Sequence, residues 1–138
     1  ALVLHCVRDP LDTCISCYCN DFGSSINYTY SLDALAFYYQ QYRRLMEFWK
    51  QTIRIPMHEV VYEDLTTDTE AAVRRILEFC GLDWTDKCLD FHTSKRFVNT
   101  ASYAQVNRPI YSSSIGRWKR FKPWLDPLRK GLEKEIPE

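Results

Sequence analysis

Arg8 and Ser16, eight residues apart, are the pair in this sequence best suited to hold an anion. A guanidinium presents five N–H donors in a rigid fork, and a hydroxyl adds one more. Converging on one point, the two suit a phosphate. Between them, Asp9-Pro10 reads as a helix start: the Asp9 side chain can accept from the free N–H groups, and Pro10 fits the first turn, where its missing donor costs nothing. Asp12 adds negative charge near the positive end of the helix dipole. Ser16 lies seven residues past the cap and so on the same face as Asp9. The competing reading is an Arg8 that pairs with the caps of its own helix, and the motif alone leaves both open.

The elements needed to position this pair follow from the flanking pattern. Leu2-Val3-Leu4 is apolar without alternation, as expected of a strand buried on both faces of a parallel sheet. Arg8 then falls at the carboxyl end of that strand, where open α/β sheets bind their ligands. Leu11, Cys14, Ile15, Tyr18 and Phe22 form an apolar helical stripe, and Asp12, Ser16 and Asn20 form a polar one, consistent with Ser16 facing a site. Ser31 is expected to cap a long helix to about Gln51, with Leu35, Tyr38, Tyr42, Leu45 and Trp49 as a core stripe. Pro56 ends that segment, and a second strand covers about residues 58–62, the first covering about 2–7. A helical crossover between them implies parallel pairing. Glu63-Asp64 leaves the second strand as a cap for the next turn and a partner for nearby arginines. Asp68 caps a helix closed by Gly81, a short helix lies near Asp86–Phe91, and a long loop runs from Thr93 to Ser113. Ser114 is expected to cap a turn through Lys119, and a last helix begins at Asp126-Pro127.

With 138 residues, 46% of them hydrophobic, the chain suits one domain with a real core, and its composition argues against disorder. No apolar run is long enough to span a membrane. The chain opens directly on the apolar strand, so a fragment, or one half of a larger α/β fold, is expected. Net charge is zero, yet residues 91–125 hold seven basic side chains (Lys95, Arg96, Arg108, Arg117, Lys119, Arg120 and Lys122) and no acid. Such a segment is an anion-binding candidate, and no recognised nucleic-acid motif accompanies it. Cys14-x-x-Cys17 lacks a second pair at zinc spacing, so no metal site is expected. The six cysteines read mostly as small core residues, Cys6 within the buried strand, with their thiols reduced in a cytoplasmic setting.

The motifs also carry a family likeness. Arg8-Asp9-Pro10 with Ser16 resembles the 3′-phosphate-binding motif of the sulfotransferases, which use 3′-phosphoadenosine 5′-phosphosulfate (PAPS) as donor. Val61-Tyr62-Glu63-Asp64-Leu65, Phe79-Cys80-Gly81-Leu82, Leu89-Asp90-Phe91-His92, Thr100-Ala101-Ser102-x-x-Gln105-Val106-x-Arg108-Pro109-Ile110-Tyr111 and Ser114-Ile115-Gly116-Arg117-Trp118 follow in order. Together they look like the C-terminal half of the bacterial sulfotransferases often linked to TPR repeats, kin of the protein-tyrosine sulfotransferases.

The resemblance implies a helix-rich α/β chain with two parallel strands, the C-terminal part of a P-loop-type sulfotransferase fold. It implies a single partial domain over 1–138, without the Gly-rich loop that grips the 5′-phosphosulfate and without the family's upstream carboxylate. Arg8 and Ser16 would hold the 3′-phosphate, and Tyr62 would lie against the adenosine. Ser102 through Tyr111 would wrap the nucleotide, with Gln105 and Arg108 as contacts and Ser102 stabilising the sulfuryl transition state. Arg117 matches a position that is basic in the tyrosine sulfotransferases, whereas Asn20 stands where those relatives can carry a further arginine. The implied reaction is sulfuryl transfer from PAPS to a hydroxyl acceptor, a small molecule or a protein tyrosine, without metal, nucleic acid or membrane. The fragment alone is expected to be inactive, and its implied partners are the missing N-terminal half or a second copy. A P-loop-type phosphotransferase and a non-catalytic helical interaction module are the alternatives.

Overall fold

The computed structural model describes residues 1–23, 26–93 and 108–133. The chain divides into two compact units: residues 1–7 with 56–112, and residues 8–55 with 113–138.

The first unit is built on a pair of parallel strands, β1 (Val3–Val7) and β2 (Met57–Val61), in register from Val3 opposite Met57 to Val7 opposite Val61. Both expected strands are present within a residue of their expected bounds. The burial of β1 differs from the expectation. Val3, His5 and Val7 turn inward, while Leu4 is 43% exposed and Cys6 is also exposed. The strand is thus covered on one side, and an unbroken apolar run did not reveal that. His5 Nδ1 stands 3.3 Å from Glu59 Oε1 on the paired residue of β2.

Helix α3 (Tyr62–Thr67) leaves β2 directly, with Glu63 and Asp64 in its first turn, where negative charge complements the dipole. Asp64 also lies 3.9 Å from Arg75, both largely exposed, so this carboxylate does the structural work expected of it. Asp68 caps α4 (Thr69–Cys80) by accepting from the Ala71 N–H at 3.2 Å, and Gly81 ends it. The His58 ring stacks on Phe79, centroids 5.2 Å apart, which fixes α4 to β2. Short 3-10 turns follow at Asp86–Cys88 and Phe91–Thr93, in place of one short helix.

The second unit holds a core of Leu11, Cys14, Ile15, Leu35, Ala36, Leu125, Leu128 and Leu132. These come from α1 (Pro10–Tyr18), α2 (Leu32–Thr52) and α5 (Asp126–Gly131), with a 3-10 helix, Arg117–Trp124, leading into α5. Ser31 caps α2 as expected, its Oγ accepting from the Ala34 N–H at 3.3 Å. The aromatic stripe is only partly core. Leu35 is buried, but Tyr38, Leu45 and Trp49 are 49%, 46% and 39% exposed. At 21 residues α2 is about 30 Å long, whereas α1 and α5 have 9 and 6 residues and cannot cover its length. Tyr38 instead stacks face to face on Tyr28, 3.8 Å between centroids.

Helices α2 and α5 approach closely at Gly131. A Cβ there would lie 2.5 Å from the Ala36 Cβ, and the Gln40 side-chain amide donates to the Gly131 carbonyl. An alanine Cβ cannot swing aside, so any larger residue at 131 must push α5 off α2. Gly131→Ala is expected to destabilise the fold by about 1–3 kcal/mol through overpacking. A thermal or urea melt checks this, and an unchanged midpoint refutes the tight contact.

Candidate functional site

Arg8 follows β1 immediately and opens the second unit, and the sequence around it folds as its caps dictate. The Asp9 carboxylate accepts from the Asp12 N–H at 2.8 Å, and Pro10 occupies the first helical position. Half-buried Ser16 lies one turn beyond Asp12 on the same side of α1, and its carbonyl accepts from the Asn20 amide at 2.6 Å.

Asp12 has a larger role than complementing the dipole. It is 1% exposed, and its two oxygens reach a segment more than a hundred residues away. Oδ2 accepts from the Gly116 N–H at 2.6 Å and Oδ1 from the Trp118 N–H at 2.8 Å. These N–H groups open the Arg117–Trp124 3-10 helix, which has no side-chain cap of its own. The first N–H groups of a helix have no internal partner, so Asp12 caps this one from a distance. Gly116 makes the geometry possible: its φ of +67° lies in the left-handed region, which β-carbons disfavour. The cap expected at Ser114 is therefore supplied by Asp12. Ser114 contributes its carbonyl instead, accepting from Arg8 Nη2 at 2.6 Å.

Arg8 Nη2 also stands 3.8 Å from Asp12 Oδ2, an ion pair too long for a hydrogen bond. The carboxylate accepts from the two N–H groups of the turn, and Arg8 Nη2 donates to the Ser114 carbonyl. The arginine is held beside its own helix start, as the pairing reading has it, and its guanidinium is fixed there by the Ser114 carbonyl. An arginine side chain loses about 2 kcal/mol of rotamer entropy when fixed, and here part of that loss precedes any ligand. Arg8 and the N-terminus of α1 lie side by side, and Ser16 follows on the same helix nearly two turns further on.

The other candidates divide. Arg117 is exposed and sits between the two residues that hold Asp12. Arg108 is exposed. Tyr62, the first residue of α3, is half-buried and belongs to the other unit. Ser102 and Gln105 lie outside the described residues. The Asp12 latch was missed because its sequence signal is indirect: a turn in an acid-free segment must find its anionic cap elsewhere. Among the described residues no group of three or more His, Cys, Asp or Glu side chains could hold a metal, and no helix is long and apolar enough to cross a membrane.

Burial disfavours ionisation of both thiols on α1. Burial pushes Cys14 up to about 12, with the negative charges of Cys17 and Asp9 adding to the effect. Burial also raises Cys17, while Arg8 opposes the shift. The ordinary value for such a thiol is 9.0, so near pH 8 the Cys14 thiolate is about a thousandfold rarer than in an unperturbed cysteine. Above pH 9 the unfolded chain ionises this thiol and the folded chain does not, so burial of Cys14 becomes a destabilising term as pH rises towards 12. In a labelling time course at pH 8, exposed Cys19 is expected to react early and Cys14 last. Fast modification of Cys14 in the folded protein contradicts its burial.

Comparison with known proteins adds to this geometry. A family model described as "Sulfotransferase family" matches residues 1–86. An uncharacterized protein of Aquifex aeolicus is 34% identical over 146 aligned residues, a match covering 100% of this chain and 19% of that protein. The chain therefore spans about a fifth of the length of this relative. The matched family model takes in β1, the Arg8 cap and α1, and both strands of the sheet. On that match, the chain belongs to the sulfotransferase family.

Proposed function

We propose that this chain supplies the 3′-phosphate- and adenosine-binding part of an enzyme that transfers a sulfuryl group from PAPS to a hydroxyl acceptor. One observation carries the reading: in a chain of the sulfotransferase family, the Arg8 guanidinium is fixed by the Ser114 carbonyl beside the N-terminus of α1. Ser16 adds a hydroxyl from the same helix. Tyr62 packs against the adenosine on this reading, and Gln105, Arg108 and Arg117 line the nucleotide. Ser102 stabilises the transition state. These assignments rest on the motif resemblance, and the acceptor on this reading is a hydroxyl of a small molecule or of a protein tyrosine.

The chemistry suits the parts. When bound, the donor supplies the sulfuryl group, and leaving-group charge develops on its phosphate. The protein answers with position and positive charge, as it does for phosphoryl transfer. The chain provides these in Arg8, in the α1 N-terminus and in the acid-free segment that carries Arg108 and Arg117. Its four glycines (Gly23, Gly81, Gly116 and Gly131) form no phosphate-loop pattern. On this reading the grip on the 5′-phosphosulfate and the group that accepts the acceptor's proton come from residues other than those of this chain.

Two measurements test this. In the full-length protein, Arg8→Ala is expected to weaken adenosine 3′,5′-bisphosphate on the order of tenfold or more and to spare 5′-AMP, because charge-assisted hydrogen bonds contribute about 1.5–3 kcal/mol each. Ser16→Ala removes one weaker bond and costs less. Equal losses for both nucleotides make Arg8 structural. The purified 138-residue chain is expected to show no sulfuryl transfer from PAPS, and turnover free of contaminating enzyme overturns its assignment as a partial domain.

A further inference from the structure

Among the described residues of the second unit, the proposed function gives no part to one buried charge, Asp12. Asp12 is 1% exposed, and burying a carboxylate costs several kcal/mol unless bonds replace its water. Here they do so in a specific way. One oxygen takes the N–H of Gly116, and the other takes the N–H of Trp118. The residue between them is Arg117, and two residues before Gly116 stands Ser114, whose carbonyl holds Arg8. The carboxylate therefore locks the turn that locks the arginine. If the turn moves, the Ser114 carbonyl moves with it, and the fork is no longer aimed.

We infer that Asp12 is a positioning residue for nucleotide selectivity: by capping the Gly116–Trp118 turn it aims Arg8 through Ser114, and so sets the preference for ligands bearing a 3′-phosphate. This rests on the proposed role of Arg8. Asp12 itself touches no ligand in this scheme. Its charge is spent on two backbone N–H groups, and its 3.8 Å separation from Arg8 leaves the hydrogen-bond geometry of the guanidinium to Ser114. Gly116 is the second half of the device. Its φ of +67° turns its N–H toward the carboxylate, and a β-carbon there strains the turn with Asp12 intact.

The test is a double-mutant cycle in the full-length protein, read as the affinity ratio between adenosine 3′,5′-bisphosphate and 5′-AMP. Asp12→Asn keeps the size but offers an N–H where the turn needs an acceptor. It is expected to cut the bisphosphate preference at least tenfold, as Arg8→Ala does. In the Arg8→Ala background, Asp12→Asn is expected to cost nothing more, because the two act through one fork. Gly116→Ala loosens the same latch from the other side and reports on it even if Asp12→Asn folds poorly; it is expected to reduce the same ratio. A merely structural Asp12 lowers the melting temperature and leaves the ratio unchanged, which overturns the inference. So do losses that multiply independently in the double variant. If Arg8→Ala weakens both nucleotides alike, the reading of Arg8 falls and this inference falls with it. If Arg8→Ala discriminates while Asp12→Asn and Gly116→Ala do not, the positioning role alone is wrong.

Discussion

A buried carboxylate that must replace its lost water governs the second unit. Asp12 sits within the first turn of α1, where the N-terminal dipole already favours its charge, and it takes two further N–H groups from a segment 104 and 106 residues away. Hydrogen bonds to charged groups contribute more than neutral ones, and leaving such a group unpaired costs more still. The arrangement therefore has one low-energy form. The 3-10 helix must start where Asp12 can reach it, and the apolar residues that follow then fall into the core. Trp118 and Phe121 pack against the core cluster, to which Leu125, Leu128 and Leu132 belong.

Packing and polar constraint agree at the other side of the same unit. Gly131 lets α5 approach α2 until backbone and Ala36 nearly touch, and Gln40 closes the contact by donating to the Gly131 carbonyl. The half of α2 that carries Leu35, Ala36 and Gln40 is thereby committed. The remainder carries Leu45, Phe48 and Trp49 on the surface. In the first unit the forces are more local: a parallel strand pair, a helix capped by Asp68, and surface pairs such as Arg74 with Glu70 and with the Trp84 ring. Exposed pairs of this kind contribute little to stability. The stacking of His58 on Phe79 does more to join helix and strand.

Charge is unevenly distributed along the chain. The acids fall outside residues 91–125, and the cations of that segment look outward at Arg108, Arg117, Lys119, Arg120 and Lys122. The acid that does reach this segment, Asp12, is neutralised by backbone N–H groups rather than by those cations. Arg117 and its neighbours stay exposed, and the turn keeps its shape.

Much of the local structure was legible in the residues themselves, because the causes are local. Asp9-Pro10, Ser31, Asp68 and Gly81 start or stop helices through bonds to backbone within four residues, and the structure places every one as the sequence implies. The two strands and their parallel pairing follow from apolar runs separated by a helical crossover. Arg8 and Ser16 could be singled out for the same reason: strand end, cap and helix are contiguous. What the tertiary structure alone decided is which faces are covered and which distant groups meet. The openness of Leu4 and Cys6 and the exposure of Tyr38, Leu45 and Trp49 depend on the length and placement of neighbours that periodicity does not encode. The partners of Asp12 depend on a turn that returns from the far end of the chain. Hydrogen bonds across such a separation leave no fixed spacing in the sequence, since only the folded path of the backbone brings donor and acceptor within 3 Å.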